Sequence, residues 1–149
     1  MAKVGFSLQS EHKFFIDTTP DASPTWSRLG AGISSFDPSW NEETDQTSYL
    51  TDEGYSTTDV VGAQLIITFE GHRQYGDVAQ DFISSLQMDL GEGRKTEFRW
   101  VEPSGETFTG PVTIANIVGG SGDANAKSAF SFEVHFNGKP SYSETPPTP

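Results

Sequence analysis

Residues Ala129 to Asn137 constrain the fold more than any other stretch of the chain. Phe130, Phe132, Val134 and Phe136 fall on one side of an extended backbone, and Ser131, Glu133, His135 and Asn137 fall on the other. That period of two marks a half-buried antiparallel strand, with one face on a core and one in water. Asn137-Gly138 supplies a type I′ turn signal at its end, and Pro140 removes a ladder donor just beyond.

Other segments read the same way. Val60 to Glu70 is rich in β-branched residues and alternates through Leu65, Ile67 and Phe69. Further strands are expected at Lys13–Asp17, Gly32–Trp40, Thr96–Glu102 and Pro111–Val118. In the last, the pattern dissolves into Gly119-Gly120-Ser121-Gly122, read as a flexible hairpin turn rather than a phosphate loop, because no helix follows it. One helix is expected, from Asp77 to Leu90. There Val78, Ala79, Phe82, Ile83, Leu86 and Leu90 recur at three- and four-residue spacing, over about three to four turns. Asp77 followed by Gln80 resembles a capping box, and Gly91 and Gly93 supply stops. The expectation is a mainly β chain with one helix laid on a sheet. No internal repeat and no boundary between two domains is visible, and Tyr142 to Pro149, with little to bury, reads as a tail.

Length and charge exclude several functions. A chain of 149 residues fits one domain, and 34% hydrophobic residues suffice for a packed core. Lys and Arg number 9 against 21 Asp and Glu, a net charge of −12. Such a chain is not expected to grip nucleic acid or an anionic membrane surface. There is no cysteine, hence no disulfide, thiolate metal site or cysteine nucleophile. No apolar run approaches the roughly 20 residues of a membrane helix, and no secretory leader is recognisable.

The segment from Asn41 to Asp59 departs from the rest. It holds Glu42, Glu43, Asp45, Asp52, Glu53 and Asp59 without one Lys or Arg, yet it also holds Tyr49, Leu50 and Tyr55. Loops of this length are uncommon in compact domains unless they are functional or disordered. Two readings stand: a long exposed hairpin with its own turn, or a segment that becomes ordered against another subunit and buries its aromatics there.

Motifs of catalysis are missing. There is no G-x-S-x-G, no H-E-x-x-H, no P-loop and no G-x-G-x-x-G. His12, His72 and His135 lie on separate strands or strand ends, never at ligand spacing. Asp45 to Gly54 scatters oxygen ligands but departs from calcium-loop spacing. Carboxylates are so many that a glycosidase-like pair can be drawn almost anywhere, which tells nothing without geometry. The chain is expected to be no enzyme and to need no metal or cofactor. The alternative is a carbohydrate-binding β-sandwich module stacking sugars on Trp26, Trp40 or Trp100.

The run Ile33-Ser-Ser-Phe-Asp-Pro-Ser-Trp-Asn-Glu-Glu, the loop to Tyr55, Val60 to His72 and the helix from Asp77 together resemble the major tail tube proteins of long-tailed, non-contractile bacteriophages. The ending Gly119-Gly-Ser-Gly-Asp-Ala-Asn-Ala, then Phe130-Ser-Phe-Glu-Val-His-Phe-Asn-Gly-Lys-Pro, is similar to the close of those proteins; the likeness spans roughly Trp26 to Pro140. A tail-like bacteriocin fits the same pattern. The resemblance implies an antiparallel β-sandwich or flattened barrel with one flanking helix, over residues 1–140, with loop 41–59 inserted between strands and 141–149 a flexible tail. It implies six copies in a ring and rings stacked into the tube through which DNA leaves the head. It further implies contacts with tape-measure, tail terminator and distal tail proteins, and a location in the virion after synthesis in the bacterial cytoplasm.

Within that resemblance, the loop residues Glu42, Asp45, Tyr49, Leu50, Asp52 and Tyr55 are the expected subunit interface. Arg28, Arg73, Arg94, Lys95 and Arg99 are its candidate basic partners. Asp37, Gln64, Thr68, Glu70, Glu133 and His135 are the candidates for the channel wall. An acidic wall would repel passing phosphates and give them no cationic hold, within a Debye length of roughly 8 Å at physiological salt.

Overall fold

A computed structural model describes residues 5–144. The strands are β1 (Lys13–Asp17), β2 (Trp26–Leu29), β3 (Ile33–Ser39), β4 (Glu43–Thr47), β5 (Thr57–Gly62), β6 (Ile66–His72), β7 (Lys95–Val101), β8 (Thr107–Ser121), β9 (Ala129–Phe136) and β10 (Ser141–Ser143). The helix α1 spans Val78–Ser85. The main sheet runs β2-β1-β7-β8-β9-β6-β3, with β10 also paired to β8, while β4 and β5 form a separate hairpin. Every pairing is antiparallel. The described residues are therefore mainly β with one α-helix, as the sequence predicts.

The sheet curls over on itself. Between β1 and β6 lie β7, β8 and β9. At about 4.8 Å per strand a flat sheet would hold β1 and β6 nearly 20 Å apart. Yet the Phe14 and Phe69 rings on those strands meet at 4.8 Å, and Phe14 meets Phe36 of β3 at the same distance. Phe69 stacks on Phe132 at 5.0 Å and reaches Phe98 at 5.8 Å. The alternating side chains of β9 thus close an aromatic core with Ile16, Ile67, Val112 and Ile114.

Two bulges explain the length of β8. Ala115 faces Glu133 and Val118 faces Ser131, so residues 116 and 117 oppose one residue of β9, and Asn116 takes φ 51°. Asparagine tolerates that left-handed conformation better than most residues. Gly120, at φ 79°, is a second insertion between Gly119 and Ser121. The Gly119–Gly122 run is therefore not a turn: the strand passes through it to Ser121.

Other expectations need correction. Val60 to Glu70 is two strands, broken at residues 63–65, where the Gln64 N–H donates to Trp40 O at 2.8 Å. The helix stops at Ser85, and Met88 and Leu90 are exposed. Chain reversal toward β7 ends it early, and Arg94 secures that reversal by donating to Asp89 O, Gln87 O and Ile114 O at 2.9, 2.8 and 3.1 Å. Ser141–Ser143, assigned to the tail, pairs with Thr107–Thr109 of β8, and Tyr142 packs on Phe108 at 5.2 Å. Residues 145–149 of the expected tail lie outside the described residues.

The capping box is half right. The Asp77 carboxylate accepts from the Gln80 backbone N–H at 3.1 Å. The Gln80 side chain does not reach back; it is fully buried and turns into the protein.

Candidate assembly surfaces

Registers across the sheet gather five of the six proposed wall residues on one face. Asp37 of β3 faces Thr68 of β6, which faces Glu133 of β9. In the next row Ser35 faces Glu70, which faces Ser131, and one row the other way Ile66 faces His135. Partners in register project to the same side, so these residues form one polar surface, outside the core that Phe36, Phe69 and Phe132 build from the other side. Gln64 is not on it: it precedes β6 and its amide donates to Phe136 O at 3.2 Å.

Glu133 and His135 share this face and hydrogen-bond at 2.9 Å. That bond, with a further one from Asn116, holds the Glu133 carboxyl below the usual carboxylate range, against a smaller opposing effect of burial. The bulge that puts Asn116 beside Glu133 is a feature sequence reading missed; its only trace is an asparagine inside a β-rich run.

Segment 41–59 forms an exposed hairpin with its own turn. β4 and β5 pair with each other, and none of the buried hydrophobic residues comes from them. Six residues of β5 rising about 3.3 Å each give the arm a length near 20 Å. Its tip is built rather than loose. The Asp52 carboxylate accepts from the Tyr49 N–H at 3.0 Å, Tyr55 N–H donates to Asp52 O at 3.0 Å, and Glu53 and Gly54 turn the chain at φ 53° and 90°. This frame holds Leu50 outward at 105% exposure, flanked by exposed Tyr49 and Tyr55. Glu42 and Asp45 are exposed along the arm, where Asp45 accepts from the Thr47 hydroxyl at 2.9 Å.

The five cations do not behave alike. Arg73 pairs with Asp81 at 2.8 Å, donates to Gln80 and Gln74, and lies over the Tyr75 ring at 4.3 Å. Arg94 is spent on the three carbonyls already named. Lys95 meets Glu92 at 3.0 Å, and Arg99 lies over Trp26 at 4.2 Å. The Arg99 side chain makes no hydrogen bond, its Nε being buried without a partner, and Arg28 is exposed, its side chain having no hydrogen bond, ion pair or ring contact among the described residues. It lines a groove of about 310 Å³ between β2 and β3, whose floor includes Phe14, Leu29, Ile33 and Phe36.

No catalytic centre is assembled among the described residues. Among the described residues, no group of three or more His, Asp or Glu side chains is placed to hold a metal, and no helix is long and apolar enough to cross a membrane. His12 accepts from Trp100 Nε1 at 3.1 Å through Nδ1, and burial lowers its pKa. The three tryptophans do not stand side by side: Trp100 is buried, Trp26 lies under Arg99, and exposed Trp40 meets edge-on the Phe108 ring that separates it from Trp100. Glu102 and Glu106, at the β7–β8 turn, share a hydrogen bond; burial first and then Glu106 push Glu102 up to about 7. Neither glutamate lines the groove beside Arg28.

No protein-family model and no curated protein matches the sequence. Solved structures do match in fold. A chain from the tail of an empty gene transfer agent particle, determined with helical refinement in C6 symmetry, superposes with a TM-score of 0.77 at 18% identity, covering 93% of this chain and 99% of that one. A chain from the virion of a native gene transfer agent particle gives 0.74 at 17% identity, with the same coverage.

Proposed function

We propose that the chain is a structural subunit of a phage-like tail, and that copies of it assemble as stacked rings into the tail tube. The observation that carries this reading is the match of fold, over 93% of this chain, with chains from gene transfer agent particles, one of them from a tail refined in C6 symmetry. The ring is six-membered, and the tube is the conduit for DNA leaving the head. The chain performs no catalysis and binds no cofactor; its work is done by its surfaces.

In this reading the face carrying Asp37, Thr68, Glu70, Glu133 and His135 lines the channel. Carboxylates there repel phosphate, so a duplex passes without being held. The β4–β5 hairpin reaches a neighbouring subunit, because a frame of hydrogen bonds that presents an exposed leucine and two tyrosines to water gains free energy only when something covers them. Joining sheets around a ring also protects the free edges of β2 and β3. Tape-measure, terminator and distal tail proteins occupy the lumen and the two ends, and the mature location is the virion.

Sedimentation velocity on the purified full chain over a range of concentrations tests the reading. Growth from a protomer of 16.2 kDa to large particles is expected. A single protomer species at every concentration would count against it.

A further inference from the structure

We propose that the groove between β2 and β3 receives the tip of the β4–β5 hairpin from a second copy of the chain, with Arg28 at its rim paired to the acids of that hairpin. This rests on the self-assembly reading above and names where the hairpin docks.

Charge selects the two surfaces. The hairpin region holds six acids and no Lys or Arg between Asn41 and Asp59. Of the five candidate cations, Arg73, Arg94 and Lys95 are bonded inside their own chain and Arg99 lies over Trp26, whereas Arg28 is exposed and is the cation that lines this groove. Shape agrees with charge. Leu50 is a fully exposed apolar side chain on a fixed tip, and the groove beside Arg28 has an apolar floor of Phe14, Leu29, Ile33 and Phe36, with room for a leucine or tyrosine. The backbone agrees as well. β2 and β3 end the path of the main sheet, so the groove is bordered by strand edges able to accept or donate hydrogen bonds to an extended segment. Among the described residues the hairpin strands pair only with each other, and none of residues 41–62 lines the groove.

The absence of cysteine makes a direct test clean. Thr51→Cys places a thiol on the tip beside Leu50, which is kept, and Ser10→Cys places one at the groove; both positions are exposed, so the fold is retained. The double variant, concentrated until microscopy shows assembled particles and then oxidised, should give a ladder of covalent multimers on a non-reducing gel, with neither single variant giving one. Assembled particles that remain monomeric on the gel overturn the docking and leave self-assembly standing. Unaltered protein that never leaves the monomer at any concentration overturns both. Arg28→Glu should raise the concentration needed for assembly at least tenfold, and Arg28→Lys should restore most of it; an unchanged threshold for Arg28→Glu also overturns the pairing.

Discussion

The Gln80 side-chain amide donates to His72 O at 3.0 Å while remaining fully buried on the first turn of α1. The same nitrogen donates to Ala31 O at 2.8 Å, and the amide oxygen accepts from the Gln74 N–H at 2.9 Å and from Arg73 at 3.3 Å. One glutamine therefore joins the β2–β3 turn, the end of β6 and the helix. Gln80→Leu keeps the volume and removes every bond. A buried polar group left unmade costs about 1–3 kcal/mol, so the variant should lose at least about 2 kcal/mol in urea unfolding. Gln80→Glu, which turns a carboxylate toward two carbonyls, should lose more. An unchanged midpoint for both would refute the assignment.

Gly71 marks the tightest backbone crossing beside that glutamine. A Cβ there would overlap Gly32 O and lie 2.7 Å from Ile33 Cα. Both are backbone atoms, so no rotamer relieves the clash, and β3 must move away from β6. Overpacking of this kind costs about 1–3 kcal/mol. Gly71→Ala should lower the thermal midpoint by several degrees, measured by circular dichroism, and a wild-type midpoint would show that the strands part freely.

The Glu102 and Glu106 pair gives stability a pH dependence. Glu102 binds its proton up to about 7 in the folded chain, against an ordinary 4.5. Between those values the folded state holds a proton that the unfolded state has released, so the contribution of Glu102 to stability is greatest below 4.5 and falls as pH rises toward 7. Glu102→Gln removes that fall. Urea midpoints at pH 4 and pH 8 should differ less in the variant than in the wild type, the gain appearing at pH 8. Equal pH dependence in the two proteins would contradict the pairing. Glu133, held low by His135, acts with the opposite sign and loses its contribution as pH falls.

How far the sequence could be read depended on which surfaces met a core. β1 and β9 stood out because each alternates between core and water, and Lys13–Asp17 matches to the residue. β4 reads Glu-Thr-Asp-Gln-Thr with neither face buried, so no period exists to find, and the four residues of β2 are too few. The stripe through Leu86 to Leu90 kept helical spacing past the point where the chain has to turn back. Alternation also put the polar face within reach, since register carries one strand's outward residues onto its neighbours'. The cations were not legible in that way. Whether a guanidinium is free depends on carbonyls and rings brought from elsewhere, as Ile114 O is to Arg94 and Trp26 to Arg99.

The hairpin is separable from the core. Trp40 O and the Gln64 N–H are already bonded at its base, and Asn41 donates to Ser39 O and Gln64 O there. Replacing residues 42–62 with a short glycine-containing turn should therefore leave the thermal midpoint within about 5 °C, since no core residue is lost. Assembly should cease. A shortened chain that still assembles would remove the hairpin from the interface.

Negative-stain electron microscopy of the purified full chain at high concentration tests the central claim most directly. Hollow tubes of stacked rings, with stain filling a central channel, are the predicted result. Isolated protomers at every concentration, even with tape-measure protein added, would contradict it.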